Sequence, residues 1–80
     1  MNNKKNSIVD VRTPQEFTDG HVPGTTNIPL NEISQRLDEI KLLPQPLTLI
    51  CASGNRSGQA AIFLKGCGVN CENGGSWLNI

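Results

Sequence analysis

Four short predicted strands that alternate with helical segments constrain the fold of this chain most. Residues 7–11 (SIVDV) and 47–51 (LTLIC) are short apolar runs typical of buried strands, and residues 25–28 (TTNI) and 69–73 (VNCEN) are further candidate strands. Alternation of strands and helices predicts an α/β fold, a three-layer sandwich with a mostly parallel sheet of four to five strands between helices. We expect LTLIC, the most apolar run, to be the central strand.

Capping residues and prolines mark the first two helices. Thr13, Pro14 and Glu16 predict an N-cap, a first helical position and a capping box. A second helix is predicted over 31–43, with Asn31 as its cap. Three apolar residues of this segment, Ile33, Leu37 and Ile40, recur on one helical face. The prolines of PQP (44–46) end it.

The last helix and strand are predicted from apolar residues and glycines. Residues 57–68 (SGQAAIFLKGCG) read as a helix that Gly66 or Gly68 ends. Its apolar side is predicted to consist of Ala60, Ala61, Ile62 and Leu64. After the strand at 69–73, residues 74–76 (GGS) are predicted to form a turn.

Cys51 stands at the end of the predicted central strand, where ligands bind in sheets of this kind. Backbone N–H groups of the following loop and of the next helix would converge there, and Gly54 would let the chain turn closely. Such a cradle lowers the pKa of a thiol. Arg56 offers donors for an oxyanion, and Ser53 and Ser57 offer hydroxyls. From chemistry alone, a cysteine that merely packs at a strand end remains an alternative.

The loop sequence CASGNRS (51–57) resembles the active-site loop of the rhodanese-like sulfurtransferases, which reads Cys, two variable residues, Gly, one variable residue, Arg, then Ser or Thr. Residues 8–30 are similar to a second signature of that family, with its Asp-Val-Arg, Glu-Phe, Gly-His-Val-Pro-Gly and Asn-Ile-Pro elements. ENGGSWLNI is similar to its closing Gly-Gly turn. The resemblance spans roughly residues 8 to 77.

The resemblance implies a sulfurtransferase that moves sulfane sulfur from thiosulfate, or a persulfide donor, to cyanide or a thiol, through a persulfide on Cys51. A thiol-bearing protein is a further acceptor, and the mechanism needs no metal or organic cofactor. Loop residues would bind the outer sulfur and its donor: Ala52, Ser53, Gly54, Asn55, Arg56 and Ser57.

Two other functions compete with sulfur transfer. One is a rhodanese-fold module that binds a protein or carries sulfur with little turnover. The other is a phosphatase or arsenate reductase, but those phosphatases place five residues between Cys and Arg, whereas only ASGN separates Cys51 from Arg56. A tighter loop suits a single sulfur atom better than a phosphoryl group.

Two charged residues near the end of the first strand are further candidates. The resemblance places Arg12 near the substrate or in organising the loop region; the alternative is a surface ion pair with Glu16 or Asp19. Asp10 is predicted to accept hydrogen bonds from loop amides.

The remaining candidates are expected to be structural. His21, the one histidine, lies in a predicted turn, and Trp77 is expected to cover the core near a sheet edge. Cys67 and Cys71 are expected to pack, with no partners for a metal site; either as a resolving thiol for Cys51 is the alternative.

Composition limits the partners and the compartment. Seven basic residues balance seven acidic ones, so no nucleic-acid or membrane-surface partner is expected. MNNKKNS precedes no hydrophobic segment and is not read as a signal peptide. Three cysteines, an odd number, do not suggest a disulfide framework, so we expect reduced thiols and a cytoplasmic location. The alternative is a periplasmic protein whose signal peptide has been removed.

Eighty residues predict one domain, 1–80, in which the N-terminal edge elements of larger members are missing. The sheet is then expected to hold four strands and to expose one edge. A monomer is expected, with an oligomer through that edge as the alternative.

Overall fold

A computed structural model describes residues 7–80, which form four strands, three α-helices and two 3₁₀ turns. The strands are β1 (Ser7–Asp10), β2 (Thr26–Asn27), β3 (Leu47–Cys51) and β4 (Cys71–Ser76). The helices are α1 (Pro14–Asp19), α2 (Leu37–Lys41) and α3 (Asn55–Gly66). The 3₁₀ turns are Leu30–Glu32 and Trp77–Asn79.

The four strands pair in parallel in the order β2-β1-β3-β4. Across the sheet, the connection from β1 to β2 leads toward one edge. The connections from β2 to β3 and from β3 to β4 lead toward the opposite edge. Because such crossovers are right-handed, α1 lies on one face of the sheet, and α2 and α3 lie on the other. The predicted three-layer α/β fold is confirmed, with four strands in the described residues.

The reversal of direction places a crevice between the carboxyl ends of β1 and β3. Neighbouring strands whose connections leave in opposite directions define the position where such sheets bind ligands. Asp10 ends β1 and Cys51 ends β3, so both lie at this point.

The hydrophobic core lies mainly between the sheet and the α2–α3 face. Side chains of β3 alternate, and Leu47, Leu49 and Cys51 join that core cluster. Residues from the other elements complete it: Val9, Val11, Ile28, Ile33, Ile40, Ala60, Ala61, Leu64, Val69 and Cys71. Cys51 is therefore anchored in the most buried strand and directed toward α3.

Helix α1 begins as predicted. The Thr13 hydroxyl accepts from the Glu16 N–H at 3.2 Å, and the Glu16 carboxylate accepts from the Thr13 N–H at 3.0 Å. This reciprocal pair, with Pro14 at the first helical position, satisfies two of the otherwise free donors of a helix start.

The prediction of one helix over 31–43 is wrong. A 3₁₀ turn and further turns precede α2, whose N-cap is Arg36 and not Asn31. Asn and Ser side chains compete for backbone hydrogen bonds, which weakens NEIS as a helix. Ile33 and Ile40 are nevertheless buried, as their spacing predicted.

Helix α3 begins at Asn55, two residues before the predicted start. Ala60, Ala61 and Leu64 are buried as predicted, but Ile62 is 76% exposed and does not belong to the apolar face. Its position, one residue after Ala61 and two before Leu64, points it away from the sheet.

The predicted turn at 74–76 is wrong, because those residues belong to β4. The register against β3 shifts so that Leu49 pairs with Asn73 and Ile50 with Gly75. Gly74 is the extra residue of this bulge. A Cβ there would lie 2.5 Å from Thr48 Cγ2, so the strand passes only because position 74 has no side chain.

In the described part of the chain, no helix is long and apolar enough to span a membrane. The expected absence of an N-terminal edge strand concerns residues 1–6, which lie outside that part.

Candidate functional site

The Cys51 sulfur lies at the centre of donors from the loop and from the start of α3. Gly54 N–H donates to Sγ at 3.0 Å and Ser57 N–H at 3.4 Å. The Ser57 hydroxyl lies 3.3 Å from the same sulfur. Cys51 is 0% exposed in this conformation, so the cradle encloses the sulfur completely.

These donors favour the thiolate. Burial raises the pKa of the Cys51 thiol, but hydrogen bonds from the hydroxyl and backbone of Ser57 oppose that effect. Backbone N–H groups of Ser53 and Gly54 lower the pKa further, and it falls from 9.0 to about 7. A large share of this sulfur is therefore ionised near neutral pH.

Gly54 makes the tight loop possible. Its φ is 98°, a left-handed conformation that residues with a side chain rarely adopt. A Cβ at this position would also lie 3.3 Å from the Cα of Gly75 in β4. Because glycine can adopt this φ and fit this close to β4, the Gly54 N–H lies within hydrogen-bond distance of the Cys51 sulfur.

Asn73 of β4 is a part of the site that the sequence did not indicate. Its Oδ1 lies 2.6 Å from the Ser57 hydroxyl, and its Nδ2 donates to the Gly54 carbonyl at 3.0 Å. The one local signal is that it precedes Gly74 and Gly75, and nothing in the sequence marks it as reaching the loop.

Arg56 forms a two-pronged ion pair with Glu16, at 2.7 Å from Nη1 to Oε1 and 3.0 Å from Nη2 to Oε2. The Arg56 hydrogen bonds lower the pKa of Glu16 to about 2, and the Thr13 backbone contributes. Glu16 was predicted as a capping residue and, alternatively, as an ion-pair partner of Arg12; its carboxylate pairs with Arg56 and so ties α1 to the cysteine loop. Both terminal nitrogens of Arg56 bind Glu16 in this conformation. That Arg56 binds an oxyanion of the substrate stays a prediction.

Arg12 is buried and paired with Asp10, so the alternative of a surface ion pair with Glu16 or Asp19 is wrong. Its Nε and Nη2 bind the Asp10 carboxylate at 2.8 to 3.0 Å. Its other acceptors are the carbonyls of Glu16 and Gly20, and the Trp77 ring covers the guanidinium at 4.3 Å. These contacts organise the region beside the cysteine loop; contact of Arg12 with substrate stays a prediction.

Asp10 accepts the Arg12 N–H at 3.0 Å, one loop amide of the kind predicted. Trp77 follows the end of β4, and its ring covers the Arg12 guanidinium. The sequence predicted only that Trp77 would cover the core near a sheet edge. The carboxyl end of β1 is held by a buried ion pair under an aromatic ring.

The remaining loop residues surround the cradle from outside. Ala52, Ser53 and Asn55 are exposed, and Asn55 Oδ1 accepts from Gln59 at 3.2 Å. The backbone N–H of Ser53 lowers the pKa of Cys51, as expected of the loop amides, and the use of its hydroxyl as a donor stays a prediction. Their contact with a sulfur donor stays a prediction.

His21 has the structural position predicted for it. Its Nδ1 lies 2.8 Å from the Phe17 carbonyl, and its ring stacks on Phe17 with centroids 3.8 Å apart. It closes the end of α1.

The other cysteines lie away from Cys51. Cys71 begins β4 beside Leu47, whereas Cys51 is beside Ser76, so four strand residues, or about 13 Å, separate the two. Burial raises the pKa of Cys71. Cys67 follows the far end of α3, about 18 Å along the helix from its start. Within residues 7–80, no group of three or more ligating side chains could hold a metal.

Sequence comparison identifies the class of protein that this fold and loop define. The family described as Rhodanese-like domain matches residues 1–76. The chain belongs to the rhodanese-like domain family, whose members similar to this chain include thiosulfate sulfurtransferases.

Individual relatives support the same assignment. The chain is 44% identical over 66 residues to the uncharacterized protein YqhL of Bacillus subtilis, covering 80% of this chain and 52% of that protein. It is 34% identical over 74 residues to the thiosulfate sulfurtransferase PspE of Escherichia coli, covering 90% and 71%. The chain thus spans about half of the first relative's length.

A solved structure described as a rhodanese with anions from E. coli has the same fold. The TM-score is 0.84 at 32% identity, and the match covers 94% of this chain and 91% of that one.

Proposed function

We propose that this protein is a thiosulfate sulfurtransferase that carries sulfane sulfur on Cys51. The observation that supports this most is the convergence of Gly54 N–H, Ser57 N–H and the Ser57 hydroxyl on one sulfur, with its pKa near 7. The sulfurtransferase name of the E. coli relative PspE supports the same reaction class.

The reaction has two displacement steps. The Cys51 thiolate attacks the outer sulfur of thiosulfate, the S–S bond of thiosulfate breaks, and sulfite leaves with its electron pair. A persulfide now stands on Cys51. Cyanide or a thiolate then attacks the outer sulfur, and the Cys51 thiolate leaves. Loop N–H groups stabilise the negative charge of both the thiolate and the persulfide.

The size of the cradle favours sulfur over phosphate. Only four residues separate Cys51 from Arg56, and Gly54 N–H already lies 3.0 Å from Sγ. Because the donors converge on the sulfur itself, one added sulfur atom suits this space better than a tetrahedral phosphoryl group.

Mass spectrometry of the intact protein after treatment with thiosulfate tests the proposal. The wild type is expected to gain one sulfur atom, which cyanide removes with release of thiocyanate. Cys51→Ser should gain none. Cys67→Ser is the matched control and should gain the sulfur normally, because Cys67 lies at the far end of α3.

If the wild type gains no sulfur, or if Cys51→Ser gains as much as the wild type, the proposal fails. The rhodanese-fold module that binds a protein then takes precedence. Two observations favour that rival: Cys51 is completely buried, and Glu16 holds both terminal nitrogens of Arg56. Stoichiometric loading with very slow thiocyanate formation would identify a carrier.

A further inference from the structure

The Ser57 hydroxyl stands between two acceptors. Its Oγ lies 2.6 Å from Asn73 Oδ1 and 3.3 Å from Cys51 Sγ. A hydroxyl has one hydrogen to donate, so it cannot serve both atoms at once. The shorter distance places that hydrogen on Asn73 in this conformation.

The amide of Asn73 has a fixed orientation. Gly75 N–H, which can only donate, lies 3.0 Å from Oδ1, and the Gly54 carbonyl, which can only accept, lies 3.0 Å from Nδ2. Turning the amide over would break both bonds. Oδ1 therefore faces Ser57, and Ser57 must be the donor.

The state of the sulfur decides where the hydroxyl hydrogen can go. A Cys51 thiol can donate its own hydrogen to Ser57 Oγ while Ser57 donates to Asn73. A thiolate can only accept, so a hydrogen bond with Ser57 requires the hydroxyl to turn from Asn73 to the sulfur. We propose that Asn73 is a positioning residue for Cys51, which holds the Ser57 hydrogen beside the thiol and competes with the thiolate for it.

This competition tunes the nucleophile. The Ser57 hydroxyl lowers the pKa of Cys51, and it can do so only while its hydrogen is turned toward the sulfur. The hydrogen bond to Asn73 opposes that turn, so we expect the pKa of Cys51 to be higher with Asn73 present than without it. A thiolate loses intrinsic nucleophilicity as its pKa falls. Asn73 thereby preserves reactivity at neutral pH.

The ion pairs of the described residues that lie at this end of the sheet do not involve Asn73, so we expect them to keep their positions in the Asn73 variants. They are Arg56 with its partner Glu16, and the Asp10–Arg12 pair at the end of β1. Glu72 precedes Asn73 on β4 and alternates to the other face of the sheet.

The proposal rests on Cys51 as the reactive thiol of the proposed function, but alkylation can test it without sulfur transfer. The rate of Cys51 alkylation by iodoacetamide is followed against pH by peptide-resolved mass spectrometry in four proteins: wild type, Asn73→Ala, Ser57→Ala and the double variant. Asn70→Ala, another exposed asparagine beside β4, is the matched control.

Asn73→Ala is expected to lower the pKa of Cys51 by about 0.5 to 1 unit, the equivalent of one neutral hydrogen bond. The plateau rate at high pH should fall about 2- to 3-fold. In the Ser57→Ala background the same change should leave the pKa unchanged, because no hydroxyl hydrogen remains to compete for. Asn70→Ala should match the wild type.

An unchanged or raised pKa in Asn73→Ala overturns the proposal. So does an equal shift in both backgrounds, which would mean that Asn73 acts only through the shape of the loop. If Asn73→Ala does not fold, Asn73→Asp serves, since its carboxylate still accepts from Ser57. It should raise the pKa more with Ser57 present than in Ser57→Ala, and an equal rise would refute the mechanism.

Discussion

Single side chains at this site act mostly through partners far away in sequence. Cys51, Gly54 and Ser57 belong to one short motif, which local chemistry made a candidate site and which the family resemblance implied is a persulfide loop. Glu16 lies 40 residues from Arg56, and Asn73 lies 16 residues from Ser57. Such pairs depend on the order of strands in the sheet, which local patterns do not specify.

The pKa values of the cysteines predict their reactivity. Alkylation of Cys51 should rise with pH to half its maximum near pH 7, where half the sulfur is ionised. Cys71 should remain much slower at that pH, because burial raises its pKa. Peptide mapping after brief iodoacetamide treatment measures both. A midpoint for Cys51 near 9, the ordinary value, would contradict the cradle.

The Glu16–Arg56 ion pair is expected to make the free energy of unfolding depend on pH in the acid range. Its pKa is about 2 in the folded state against 4.5 ordinarily, so its ion pair with Arg56 stabilises fully above pH 4.5. That contribution is lost as the pH falls toward 2. Urea unfolding should therefore show a smaller loss of stability between pH 5 and 2 in Glu16→Gln than in wild type. Both side chains are about one-third exposed, so the difference is at most about 1 kcal/mol.

Thr18→Ala serves as the control at another exposed position of α1. It changes no carboxylate, and it should keep the acid dependence of the wild type. Identical acid profiles for Glu16→Gln and wild type would show that the pair contributes nothing.

At the scale of elements, the sequence predicted the start of α1 but not the bulge of β4. The capping box of α1 was predictable because its residues are neighbours. The bulge of β4 was not, since GGS reads equally well as a turn. Position 74 is a glycine inside a strand because the side chains of Thr48 and Ile50 in β3 occupy the space that a side chain there would need.

Two Gly→Ala substitutions test this difference. In Gly74→Ala the new Cβ would lie 2.5 Å from Thr48 Cγ2 and 3.0 Å from Ile50 Cγ2, and such overpacking costs about 1–3 kcal/mol. Gly66→Ala is the matched control at the end of α3, where no atom lies within 4 Å. It should be neutral or stabilise by up to about 1 kcal/mol. Equal unfolding free energies for the two would contradict the register of β3 and β4.

For the whole molecule, the apolarity of LTLIC predicted the central strand, and the strand–helix alternation predicted the layers and the parallel sheet. It could not predict that Arg12 is buried, because the sequence shows only a charged residue at a strand end. The fold encloses the Asp10–Arg12 pair at 0% and 4% side-chain exposure, between β1, α1 and Trp77. A buried pair of this kind affects the stability of the entire domain.

Arg12→Ala should destabilise the protein by about 3–5 kcal/mol, because it leaves the Asp10 carboxylate buried and unpaired. An 80-residue domain has about 4–12 kcal/mol in total, so much of the variant is expected to be unfolded on heating above room temperature. Thermal unfolding by circular dichroism measures this loss.

Arg36→Ala is the matched control, since Arg36 pairs with Glu32 and Glu39 on the surface. It should cost less than about 1 kcal/mol. A stable Arg12→Ala protein that fails only to bind thiosulfate would instead make Arg12 a substrate-binding residue.

The separation of Cys51 from Cys71 and Cys67 also determines how the protein can be discharged. Under the proposed function, a sulfur atom loaded on Cys51 has no second thiol of residues 7–80 within reach, so no disulfide within these residues can release it as sulfide. Transfer then requires an acceptor from outside this domain, and its rate should depend on the local concentration of that acceptor.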